Sequence, residues 1–239
     1  MGLWHVIYED WQLECCGTSF AVGDEVTWPL LLRDAESVYG GGWHDQLTPL
    51  AGCVEEAGVR LLREESGLVV ALGADHGDGR DRRAGSRGRI GSVGLLVVER
   101  HGAAWPEVTG RVRAVQVLTQ AYEERPPGSR TWQPVPGKRR LRPVDRCPRW
   151  FAGGTGAGQG FRWGESGAVV ALEVPHTDSP LSSAVRAALG LPHRGAEPGA
   201  ETRGLAAADL AALLVGFSTT APAGTRPRSG RGRRGDGRA

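Results

Sequence analysis

The sequence predicts a mainly β protein, a small barrel or sandwich with one or two C-terminal helices and a disordered tail. Three observations lead there. Apolar residues alternate with a period of two in several short segments, the signature of strands with one buried face. Turn formers are abundant, with 37 glycines and 15 prolines in 239 residues. Helical periodicity, by contrast, emerges only beyond residue 178.

Taken in order, residues 3–8 (Leu-Trp-His-Val-Ile-Tyr) read as a first strand. Phe20, Val22, Val26, Trp28, Leu30 and Leu32 then fall on even positions around Gly23-Asp24. That pair reads as a tight turn or as the entry to one longer strand, since glycine reaches positive φ without steric cost. Pro29 donates no ladder hydrogen bond, so this segment is expected at a sheet edge or a bulge. Residues 68–72, 93–99, 110–119 and 168–174 are further strands. The unbroken apolar runs at 93–98 and 168–172 fit strands covered on both faces. In 112–119 the apolar phase slips near Ala114, as a β-bulge would make it do. Six or seven short strands joined by Gly/Pro/Arg-rich connections point to a barrel or sandwich.

Ser179 is a good N-cap, Pro180 suits the first helical position, and Leu181, Val185, Ala188 and Leu189 share a face before Gly190. Residues 205–217 repeat that pattern. The expected organisation is a β-rich unit over 1–175, a helical extension over 176–220 and a Gly/Arg tail over 221–239 too poor in apolar residues to build a core. Residues 75–91 read as a long flexible loop, and 153–160 as a glycine loop.

Charge is divided along the chain. Residues 1–78 hold 14 acidic groups against Arg33, Arg60 and Arg63, while 79–239 hold 26 basic and 13 acidic ones. The basic part either meets a polyanion or neutralises the acidic part of the same chain. The N-terminus has no cationic region ahead of its apolar run, and no run approaches the ~20 residues of a membrane helix, so a cytoplasmic location is expected.

Common catalytic signatures are missing. Gly154-Thr-Gly-Ala-Gly158 lacks the dinucleotide-loop spacing, Gly137-Lys138 lacks a Walker A glycine before it, and Gly164-Glu-Ser166-Gly-Ala168 ends in alanine where a nucleophile elbow needs glycine. There is no CxxC or HExxH pair. What remains is Cys15-Cys16, for which a metal set with His44 and Cys147 is the candidate, zinc being the ion such ligands take. Against it, neighbouring side chains on an extended backbone diverge, and free cysteine is often simply buried. A redox pair is the third reading. His44-Asp45 after Gly40-Gly41-Gly42 also reads as a surface loop.

Trp132 near Lys138, Arg139, Arg140 and Arg142, and Arg149-Trp150-Phe151, mix cations with stacking surfaces. Small β-barrels hold single strands with such pairs, aromatics stacking on bases and arginines on phosphates, and the Arg-rich C-terminal tail adds phosphate affinity. Tryptophan as bulky core filler explains the same residues without a ligand.

Trp4-His-Val-Ile-Tyr8-Glu-Asp-Trp11-Gln12, Glu14-Cys-Cys-Gly17, Phe20-Ala-Val-Gly-Asp24, Trp43-His-Asp45, Arg130-Thr-Trp-Gln-Pro-Val-Pro-Gly137 and Cys147-Pro-Arg-Trp-Phe151 form a distinctive set. On these blocks residues 4–175 resemble a bacterial family of unknown function. The resemblance implies no activity, cofactor or partner. The reading is therefore a non-enzymatic binding or interaction module. The alternatives are a metal- or thiol-dependent enzyme or redox protein built on Cys15, Cys16 and His44, and a single-stranded nucleic-acid binder.

Overall fold

In the computed structural model the described residues are 2–56, 58–74, 89–156 and 160–188. Five strands close into a barrel: β3 (Leu30–Arg33), β4 (Thr48–Glu56), β5 (Arg60–Glu64), β6 (Val69–Leu72) and β7 (Arg89–Val98). Their order is β7-β3-β6-β5-β4, and β4 returns to β7 along Thr48↔Gly94 to Cys53↔Arg89. Closure leaves no unpaired edge around the ring. Leu30, Leu32, Leu50, Leu62, Val70, Leu96 and Val98 belong to its buried core. Gly52 marks the tightest approach, because a Cβ there would lie 2.0 Å from the Arg63 carbonyl oxygen.

The sheet continues beyond the barrel. β1 (Gly2–Glu9) joins β7 in parallel at Val6↔Leu96, then β11 (Phe161–Val174) pairs antiparallel with β1, and β8 (Val108–Glu124) with β11. The far side of β8 is shared end to end by β2 (Glu25–Trp28) and β9 (Trp132–Val144), while the short β10 (Thr155–Gly156) pairs with β11. The middle of this section is buried on both faces. Trp4, Val6, Tyr8, Val112, Val170 and Leu172 join the barrel core. Ile7, Leu118 and Val169 lie on the other face, under Val38 and Trp43 from the segment between β3 and β4. That double cover is why 93–98 and 168–172 are apolar without alternation.

Helix α2 (Pro180–Ala188) lays Leu181 and Val185 against Leu3, Ala114 and Ala171. The Ser179 hydroxyl accepts from Ser182 N at 3.0 Å, the N-cap bond that the sequence predicts. The bulge expected near Ala114 is present: Ala171 pairs with Ala114 and Leu172 with Val112, which leaves Arg113 as the extra residue. Pro29 falls between β2 and β3, so one apolar pattern is divided between two partners, β8 and the barrel. Gly23-Asp24 leads into β2 through a turn in which Asp24 Oδ2 accepts from Ala21 N at 2.8 Å.

The sequence pattern undercounts the elements. β4, β5, β9, the short β10 within the glycine loop expected at 153–160, and helix α1 (Asp10–Cys16) are additional to the strands and helices expected. The second helix expected at 205–217, the tail at 221–239 and most of the loop at 75–91 lie outside the described residues. Among the described residues no helix is long and apolar enough to cross a membrane.

Candidate ligand-binding face and thiol cluster

The outer ends of β8, β9 and β11 carry cations over aromatic rings. Register places Arg162 opposite Tyr122 and Glu124 opposite Trp132, so Tyr122, Trp132 and Arg162 share a face. The Arg162 guanidinium lies 4.4 Å from the Trp132 ring centroid and 5.7 Å from that of Tyr122. On the opposite face Arg140 lies 4.3 Å from the Trp163 centroid, and Lys138 is 5.8 Å from that of Phe161. Phe161 and Trp163 meet edge to face at 5.9 Å. Among the described residues none of Lys138, Arg140 and Arg162 forms an ion pair with a carboxylate. Their neighbours differ. Arg142 pairs with Glu165 at 2.9 Å, and Arg139 is half-buried over the Trp43 ring at 3.5 Å. Burial lowers the Arg139 pKa to about 10, and its free hydrogen-bonding capacity on Nε and Nη1 faces the structure rather than solvent. The run 138–142 is therefore not one basic patch.

The thiols sit at the end of α1. This helix starts where β1 ends, and Gly167 permits the turn: its φ is +130° and a Cβ would come within 2.2 Å of the Tyr8 carbonyl oxygen. Gln12 and Leu13 are buried, while Trp11, Cys15 and Cys16 face outward. Gly17 N donates to the Gln12 and Leu13 carbonyls at 3.0 and 3.1 Å, and Arg149 Nη1 donates to the Gly17 carbonyl at 2.7 Å. The buried Gln12 amide ties α1 to the segment after β7, since its Oε1 accepts from Arg100 N at 2.7 Å. Glu99 Oε1 accepts from His101 N at 2.7 Å. The Trp11 and His101 rings lie 5.1 Å apart, and Cys16 Sγ is 3.0 Å from His101 Nε2. The ligand atoms of Cys15, Cys16 and His101 are all within 4.8 Å of one another. The hydrogen bond with Cys15 raises the Cys16 pKa in this arrangement.

Residues 2–174 match the profile described as a family of unknown function, DUF6578. The chain belongs to that family. No curated protein and no solved structure matches it. Family membership thus names no reaction and no ligand, and the chemistry rests on the geometry.

Of the four candidate metal ligands, Cys15 and Cys16 come together, but their imidazole partner is His101 rather than His44. His44 is exposed in a turn after β3, beside Trp43, whose buried indole donates to the Val38 carbonyl at 2.7 Å. Cys147 is buried, its N donating to the Phe20 carbonyl at 2.8 Å, and burial pushes its thiol up to about 12. It is a packing residue. Cys53 stands exposed on β4, outside the cluster. The objection that adjacent cysteines diverge holds for a strand. Successive residues of a helix are separated by only about 100° around the axis, so both sulfurs reach one side of the helix end.

A third polar group surrounds Ser166, the extra residue of a second bulge in β11. Tyr39 donates to its carbonyl, and the Tyr122 and Ser166 hydroxyls lie 2.7 Å apart. Burial raises the pKa of Tyr39 and Tyr122, and also that of Glu9 beside Arg33. Ser166 Oγ otherwise donates to the Gly164 carbonyl at 3.2 Å. Among the described residues it has no imidazole or carboxylate partner, so this group lacks the base that would activate a nucleophile.

Ion pairing also bears on the divided charge. Glu65 with Arg89 bridges the acidic and basic parts. The pairs Glu9–Arg33, Glu55–Arg63, Glu173–Arg113 and Glu165–Arg142 each stay within one part.

Proposed function

We propose that this chain is a non-enzymatic binding module, and that its ligand is a flexible polyanion bearing planar groups, single-stranded nucleic acid, held by the outer ends of β8, β9 and β11. The observation that carries the reading is the placement of Lys138 and Arg140 over Phe161 and Trp163 on one face of these strand ends, without carboxylate partners among the described residues; Arg162 over Trp132 lies on the opposite face. An aromatic face and an unpaired cation are the two elements that grip a base and its phosphate, and neither depends on sequence. β9 is an edge strand carrying Pro134, Pro136 and Pro143. Prolines and cations there discourage another strand from adding. Edge protection needs charge alone, however; it does not need the charges to stack on rings.

The test compares a labelled oligo(dT) with an abasic strand of equal length by fluorescence anisotropy, using the full chain and its Trp163→Ala variant. The reading predicts tighter binding of the base-bearing strand, and loss of most of that preference in the variant. Stacking contributes about 1–3 kcal/mol per base. Equal affinity for both strands, or binding that disappears on removal of residues 221–239 alone, would reduce the interaction to charge attraction by the tail.

A further inference from the structure

Independently of that face, we infer that Cys15, Cys16 and His101 form a site for a thiophilic divalent cation, with zinc(II) the ion that the donor set fits best. Two sulfurs and one imidazole nitrogen are the ligands that zinc takes in its common sites. Tetrahedral coordination at a Zn–S distance of ~2.3 Å and a Zn–N distance of ~2.0 Å places the ligand atoms about 3.5–3.8 Å apart. Here they lie within 4.8 Å, with Cys16 and His101 at 3.0 Å, so rotation of exposed side chains brings them to that spacing. All three are exposed, which leaves the fourth position to water or to an incoming ligand.

The supporting structure is specific to this corner. His101 is 85 residues from Cys16 in sequence, yet a buried amide and a carboxylate fix its backbone. Gln12 holds Arg100 N, Glu99 holds His101 N, and Gln12 Nε2 donates to Glu99 Oε2 at 3.4 Å. Trp11 covers the imidazole ring. The Arg149 bonds to Gly17 and Glu14 carbonyls, with Phe151 N donating to Glu14 Oε1 at 3.0 Å, secure the helix end that carries the sulfurs. Neither remaining cysteine has such a setting: Cys147 is buried, and Cys53 lies outside the cluster. Binding is a ligand exchange without electron transfer. The metal gives up water, the two thiols release two protons, and the neutral imidazole coordinates.

The experiment titrates zinc(II) into the full-length reduced protein against a chromophoric chelator, and records the spectrum of the cobalt(II) form. Wild type is expected to bind one equivalent, with a thiolate-to-cobalt charge-transfer band. Cys15→Ser, Cys16→Ser and His101→Gln should each weaken binding by at least about tenfold, and the first two should also diminish the band. Cys53→Ser, as a control, should keep wild-type affinity. Far-UV circular dichroism establishes that each variant is folded. The inference is overturned if wild type binds no tighter than the Cys15→Ser/Cys16→Ser double variant, if cobalt binds without a thiolate band, or if His101→Gln retains wild-type affinity. An intramolecular disulfide persisting under reducing conditions would overturn it as well.

Discussion

Strands β8 and β11 run through two environments. In their inner halves Val112, Val115, Val170 and Leu172 are buried against the barrel core, and Leu118 and Val169 are covered by Trp43 and its neighbours. In their outer halves Tyr122, Arg162 and Trp163 are partly exposed, with cations over rings. The same pair of strands therefore has one part dominated by buried apolar side chains and another that carries partly exposed cations and rings. The hydrophobic effect accounts for the first, while the second is where a ligand is to be sought.

The contrast is sharpest in stability. Leu96 lies at 0 % exposure where β7 meets β1, so it belongs to the packed part. Leu96→Ala should destabilise the protein by about 2–5 kcal/mol in urea unfolding, through lost burial and an unfilled cavity. A change near zero would mean that this seam is not continuous core.

The next effect in size is a pH dependence from the packed part. His5 lies on β1 and lines a cleft of about 300 Å³ with Asp45, Leu47, Pro180 and Leu181. Burial lowers its pKa from 6.5 to about 4. The unfolded chain then takes up this proton before the folded one does. Stability should be full above pH 6.5 and fall as the pH drops towards 4, by about 3 kcal/mol in all. Unfolding free energies of wild type and His5→Phe across that window check this, the variant having the flatter profile. Parallel profiles would show that the imidazole is not held neutral by burial.

How much of this was legible follows from the same contrast. β1, β7, β11 and α2 stand out in the sequence because long apolar stretches or a capped amphipathic turn mark buried elements. β9 does not, since three prolines and four cations on an edge strand carry the local chemistry of a loop. β4 escapes notice for a related reason: Pro49 and Gly52 read as breakers, although Gly52 is what lets β4 and β5 meet. Helix α1 is only 7 residues long, too short for periodicity to register. Without that helix, Cys15 and Cys16 read as neighbours on an extended backbone, whose side chains diverge. The pairing of Arg139 with Trp43, and of Cys16 with His101, is tertiary and has no local signal.

The outer halves should tolerate what the inner halves do not, and they supply the most direct test of the account. Lys138→Ala combined with Arg140→Ala should alter stability by less than about 1 kcal/mol per site, as expected for exposed cation–π contacts. The decisive measurement is the affinity of this full-length double variant for oligo(dT) across a salt series, set beside wild type. The account predicts a loss of at least about tenfold at low salt and a salt slope shallower by roughly 1.4, about 0.7 for each phosphate contact removed. Unchanged affinity and slope in a folded double variant would contradict it.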